Sequence, residues 1–161
     1  FYMIYYIIIT AVISVDHIVK HMTTAELTVG ATVPVINDVF HITYIQNTGA
    51  AFSMWEEQWP VLILLPSVVL AAGLVLIFLK RRTWSRPMLV AVSMICGGGI
   101  GNLIDRIRFG YVVDFIEPTF VNFAIFNIAD CAVTCGAVVL VGYLLYDAFK
   151  DVKKPKENSD G

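Results

Sequence analysis

The sequence predicts an all-α integral membrane protein: four transmembrane helices with a small extracytoplasmic β-cradle between spans 1 and 2. Three observations carry this. The 161 residues are 58% hydrophobic and 15% charged, with a mean hydropathy of +0.75, well above an ordinary soluble domain. Four segments reach the length of roughly 17 to 25 mostly apolar residues that a bilayer requires. The Lys and Arg residues cluster where one side of a four-span topology would lie.

The first span covers about 1–20. The chain opens at Phe1 rather than Met, and 1–15 lacks the basic start and small-residue cleavage site of a signal peptide, so it reads as a span. The loop 21–58 follows. Its "DVFHITYIQNTGAAF" is rich in β-formers with partial alternation and breaks at Asn47-Thr48-Gly49, which suggests short strands and a turn lying on the membrane surface. The second span is 61–79, behind Pro60 and carrying Pro66. The third is 87–104, with Pro87 suited to a first helical turn. Its "CGGGIG" holds Gly97 and Gly101, a small-xxx-small pair that lets helices approach closely. The fourth is about 128–149. Residues 1–150 thus form one domain, and 151–161 a polar, disordered cytoplasmic tail.

Lys80, Arg81, Arg82 and Arg86 lie between spans two and three, and Lys150, Lys153, Lys154 and Lys156 follow span four. With four spans these regions share a side, the cytoplasm, which also holds both termini. Only Lys20, Arg106 and Arg108 fall on the outer side. Tyr2, Tyr5, Tyr6, Trp84, Tyr143 and Tyr146 suit an inner aromatic belt, and Trp55 and Trp59 an outer one. No basic patch with interleaved aromatics points to nucleic acid. The three cysteines, Cys96, Cys131 and Cys135, lie in apolar segments without metal-site spacing and read as small apolar helix residues.

Against this background the acids of the outer half need explaining, because a carboxylate in an apolar frame is costly unless paired, protonated or used. Asp105 ends span three next to Arg106, and reads as ion-paired. Asp130 begins span four in "FNIADCAVTCG", and Asp114 lies between them in the apolar "VVDFI". Neither has a base beside it. Burial raises a carboxyl's pKa, and a second carboxylate raises one of the two further. Two acids sharing a proton supply a general acid and a general base together, a peptidase-like arrangement that needs no metal.

Four motifs appear in order: "NTGAAFS" at 47–53, "GNLIDR" at 101–106, "VVDFI" at 112–116 and "FNIAD" at 126–130. With an Asp-x-x-x-Lys in span one, they resemble lipoprotein signal peptidase, the type II signal peptidase of bacteria, over nearly the whole chain. The resemblance implies a four-helix aspartic endopeptidase of the bacterial cytoplasmic membrane, active at its outer face. Its substrate would be a diacylglyceryl-modified prolipoprotein, cut just before the lipidated cysteine. The resemblance further implies no cofactor or metal, contact with membrane lipid, and cyclic peptide antibiotics as inhibitors. It assigns Asp114 and Asp130 as the catalytic pair, and Asp16, Lys20, Asn47, Gly49, Asn102, Asp105, Arg106 and Asn127 as residues that bind substrate or support the site. One departure stands out. The family's Asp-Gln-x-Ser/Thr-Lys is "DHIVK" here, so His17 and Val19 replace two polar positions. His17 and His21, four apart, lack a third ligand or an H-E-x-x-H pattern and read as interfacial histidines.

Two other classes compete. A small proton- or ion-coupled transporter subunit would show an inverted repeat or helices broken near the midplane. A metal-dependent lipid phosphotransferase would need a denser aspartate cluster and more basic residues on the active face than Arg106 and Arg108.

Overall fold

Apolar segments of this length form helices because a bilayer leaves no partner for unpaired backbone groups. The computed structural model describes residues 2–49 and 59–152, and among them there are four helices and three strands. They run α1 (Met3–Glu26), β1 (Thr32–Ile36), β2 (Phe40–Asn47), α2 (Trp59–Lys80), α3 (Arg86–Phe109), β3 (Val112–Pro118) and α4 (Ile128–Val152). All four helices are long and apolar enough to cross a membrane, and Leu64, Leu65, Val68, Val138 and Leu145 are among many large apolar side chains left exposed on them. A protein that meets hydrocarbon outside need not bury these.

The central helix is α3, which packs against each of the other three. Ser85 caps it by accepting the Met88 N–H, and Pro87 sits in its first turn, as expected. Glycine makes the centrality possible. A Cβ on Gly98 would lie 2.3 Å from the Ala129 carbonyl oxygen of α4, and one on Gly97 would lie 2.9 Å from Val12 Cβ of α1. The small-residue motif therefore serves two interfaces at once. Tyr5 and Ile9 of α1, Leu70 and Ile77 of α2, and Leu89 and Cys96 of α3 form the buried apolar core. Tyr5 thus packs inward rather than joining an interfacial belt.

The helices outrun their expected ends. The first continues to Glu26 rather than stopping near Lys20, and α3 continues to Phe109, which puts Asp105 inside the helix instead of at its end. Gly110 then adopts φ 84° and its N–H bonds the Arg106 carbonyl, a left-handed cap that glycine forms without strain. That turn sends the chain into β3.

The sheet is antiparallel in the order β1-β2-β3. The cradle is therefore not confined to the loop between spans 1 and 2: its third strand comes from "VVDFIEP", between spans 3 and 4. Asn47 pairs with Val112 and Ile45 with Asp114. Tyr44, Val113 and Phe115 form a second apolar cluster against Val19 and Leu27, so the sheet is anchored to the end of α1. The side chain of Trp59, and Trp55, Ala50–Ser53 and the tail from Lys153, lie outside the described residues.

Candidate active site

The site begins with a helix start. Asn127 precedes α4; its Oδ1 accepts the Asp130 N–H at 2.9 Å, while Asp130 Oδ2 accepts the Asn127 N–H at 3.1 Å. This reciprocal exchange is a capping box made by an Asn and an Asp three residues on. The cap fixes Asp130 on the first turn of α4. Another free N–H of that turn, on Ala129, is capped from α1 by Asp16 Oδ1 at 2.9 Å.

The sheet brings the second carboxyl. Asp114 on β3 is 2% exposed. Its Oδ1 accepts from Asn127 Nδ2 at 2.6 Å and its Oδ2 from Asn47 Nδ2 at 2.9 Å. Asn127 thus touches both aspartates. Asn47 also accepts the Gly49 N–H at 3.0 Å, and Arg106 Nη2 donates to the Gly49 carbonyl at 2.9 Å, so the "NTG" turn is tied to the site from two directions. Burial pushes the Asp114 carboxyl up to about 6, with the charge of Asp130 adding to the effect and the Asn47 and Asn127 amides opposing it.

Behind the pair lies an ionic cluster. Lys20 Nζ, 3% exposed, is 2.8 Å from Asp16 Oδ2 and 2.8 Å from Asp105 Oδ2, and donates to Asn102 Oδ1 at 2.9 Å. Asn102 Nδ2 in turn donates to Asp130 Oδ1 at 2.8 Å. Asp105 also accepts the Val113 N–H at 3.2 Å. This corrects the expectation that Arg106 would hold Asp105. Its partner is Lys20, and Arg106 instead reaches the other way, into the wall of the cavity that holds the two aspartates.

That cavity measures about 590 Å³ and is lined by Asn47, Asn102, Arg106, Asp114 and Asp130 on its polar side and by apolar groups elsewhere. Sequence reading named all five polar residues. It missed the apolar wall, made by the loop from Phe123 to Phe126 and by Cys131, Thr134 and Cys135 of α4. Thr134, four residues beyond Asp130, shares its helix face, and Cys131 and Cys135 form the adjoining i, i+4 row; that spacing was the available signal. His17 and His21 line a separate cavity of about 320 Å³, with His17 Nδ1 3.6 Å from Asp105 Oδ1. Among the described residues no group of three or more His, Cys, Asp or Glu is placed to hold a metal ion.

Comparison with known proteins agrees with this architecture. The family model described as signal peptidase (SPase) II matches residues 8–146. The lipoprotein signal peptidase of Halothermothrix orenii is 40% identical over 139 residues, covering 86% of this chain and 93% of its own. That of Brevibacillus brevis is 38% identical over 150 residues, covering 93% and 97%. A solved bacterial membrane enzyme, determined by the in meso method at 2.3 Å resolution, superposes with a TM-score of 0.86 at 31% identity, over 96% of this chain and 94% of its own. With most of its length matched by sequence and by fold, this multi-pass membrane protein belongs to the signal peptidase II family of bacterial peptidases.

Proposed function

We propose that Asp114 and Asp130 are the catalytic carboxyls of an aspartic endopeptidase that removes the signal peptide from lipid-modified prolipoproteins, cutting just before the diacylglyceryl-cysteine. The observation that carries the reading is the bridge: one asparagine, Asn127, hydrogen-bonds both carboxyls at the wall of one largely apolar cavity. Desolvation of that kind raises a carboxyl's pKa toward the working range, so that one carboxyl can enter the reaction protonated while the other is ionised. The ionised member takes a proton from a water whose oxygen bonds to the carbonyl carbon before the lipidated cysteine. The protonated member gives its proton to the carbonyl oxygen. The tetrahedral species then collapses as the C–N bond breaks, and the leaving amine takes a proton from the pair. Arg106 and the Asn47 amide hold the reacting peptide, and the three-stranded sheet covers it.

The positive-inside rule supports an outer-face site, because Lys80, Arg81, Arg82 and Arg86 cluster at the end of the bundle remote from the sheet. The substrate's signal helix enters laterally from the bilayer and its acyl chains stay in lipid. The test is cleavage of lipid-modified prolipoprotein in detergent, with the product's new N-terminus read by mass spectrometry. Asp114→Asn and Asp130→Asn should each abolish turnover while inserting and purifying normally. Substantial turnover by either variant removes its aspartate from the mechanism.

A further inference from the structure

Lys20 carries three ammonium hydrogens, and three acceptors surround it: Asp16 Oδ2, Asp105 Oδ2 and Asn102 Oδ1. An ammonium can only donate. The Asn102 atom facing it must therefore be the carbonyl oxygen, and the amide nitrogen must face Asp130 Oδ1, 2.8 Å away. Asn127 Nδ2 also approaches Asn102 Oδ1, at 3.0 Å. That nitrogen has two hydrogens, however, and also serves Asp114 Oδ1 at 2.6 Å and the Val113 carbonyl at 3.3 Å. Lys20 is thus the donor that Asn102 does not have to share.

We infer that Lys20 is a positioning residue for the reaction: its ammonium locks the Asn102 amide with N–H toward Asp130, and so holds Asp130 as the hydrogen-bond acceptor that takes the proton from water. This rests on the reading of Asp114 and Asp130 as the catalytic pair. A flipped Asn102 would set its oxygen against Asp130 Oδ1, a contact that is tolerable only when Asp130 is protonated. The two positions of one amide therefore correspond to two protonation states of one carboxyl. Burial supports the same division of labour, since Asp114 is 2% exposed and Asp130, half-buried at the start of α4, benefits from the helix dipole. The charged and titratable groups facing the cluster are Asp16 and His17 from α1, Asp105 and Arg106 from α3, Asp114 from β3 and Asp130 from α4. His21, Tyr44, Arg108 and Tyr111 face Lys20 across the cavity behind it.

The experiment compares Lys20→Met with Lys20→Gln in the detergent cleavage assay, with melting temperatures and pH profiles. Both variants lose the charge that Asp16 and Asp105 share, and the melting temperatures separate any difference in structural penalty from the effect on kcat. Only glutamine can still donate to Asn102 Oδ1. Lys20→Met should lose about 10- to 100-fold in kcat. The acidic limb of its kcat/KM profile should move to higher pH, because the ammonium that favours the ionised carboxyl is gone. Lys20→Gln should recover much of kcat at a similar melting temperature. Repeating the comparison in His17→Gln keeps imidazole titration out of the profile. If these proteins do not fold, the same pair is built on Asp16→Asn/Asp105→Asn, which neutralises the cluster. Equal kcat and equal pH profiles for the methionine and glutamine variants would overturn the inference, leaving Lys20 a purely structural residue. If Asp114→Asn and Asp130→Asn are inactive alongside that result, the inference alone fails; if they turn over, the reading of the catalytic pair fails with it.

Discussion

Replacing Asp114 by asparagine should stabilise the protein while abolishing cleavage. The folded state holds the Asp114 proton more tightly than the unfolded chain, because burial pushes the carboxyl from an ordinary 3.8 to about 6. A raised carboxyl pKa makes the folded state the better proton binder. Stability is then present at low pH and is lost as pH rises from about 4 through about 6. The full loss at neutral pH is about 3 kcal/mol. Asparagine has no charge to bury and escapes this penalty. It also gives up an acceptor, since Asn47 Nδ2 and Asn127 Nδ2 donate to the two Asp114 oxygens, and the new NH₂ must face one of them. That mismatch costs about 1 to 2 kcal/mol. The balance favours Asp114→Asn by about 1 to 2 kcal/mol, or roughly 2 to 8 °C for a chain of this size. Thermal unfolding in detergent at pH 7.5 and pH 4.5 tests it. The variant should melt higher at pH 7.5, and most of the advantage should vanish at pH 4.5, where wild-type Asp114 is protonated. A variant that melts lower at pH 7.5, by a margin independent of pH, would refute the claim that burial dominates this carboxyl.

Asp105→Asn should lower stability by about 2 to 3 kcal/mol, less than the full loss of a buried pair because Asp16 remains on Lys20, and the folded fraction should keep measurable turnover. A variant that melts like wild type yet is as inactive as Asp130→Asn would place Asp105 in the chemistry. Gly98→Ala forces a Cβ against the Ala129 carbonyl, so α3 and α4 must part, and turnover and melting temperature should fall together. A fully active, equally stable alanine variant would show that the helices have slack at this contact. Activity should survive EDTA, and loss on chelation with recovery on adding Mg²⁺ or Zn²⁺ would bring a metal mechanism forward. In a background lacking Cys96, Cys131 and Cys135, cysteine at Arg82 should be shielded from an impermeant thiol reagent in intact cells and cysteine at Asp38 labelled; the reverse pattern would put the site on the cytoplasmic face.

The spans were legible because hydropathy and length suffice for a helix in hydrocarbon, and the glycines of "CGGGIG" announced close packing. The strand that carries Asp114 was not. Val112, Val113, Asp114 and Phe115 are all buried, so the segment is a continuous run without the alternation that marks a half-exposed strand. Gly110 just after the last helical residue, followed by β-formers, was the cue that helix gives way to strand there. The capping box was also readable, as Asn127 and Asp130 three apart before an apolar run.

Asp105 shows why neighbours in sequence mislead. Successive residues on a helix point about 100° apart, so Asp105 and Arg106 cannot face each other. One turns to α1 and meets Lys20; the other turns to the cavity and the Gly49 carbonyl. The spacing that does bring side chains together is i to i+4, and Asp16 with Lys20 has it. The same geometry explains why "DHIVK" can depart from the family pattern without disturbing the site. Asp16 and Lys20 share the face turned to α3 and α4, where every contact to Asn102, Asp105 and Ala129 is made. Val19 turns to the sheet and packs with Tyr44, Val113 and Phe115. His17 lies against the outer oxygen of Asp105, a carboxylate that Lys20 already holds. The substitutions therefore alter what surrounds the cluster, and the two hydrogen bonds that run from Lys20 through Asn102 to Asp130 do not pass through either of them.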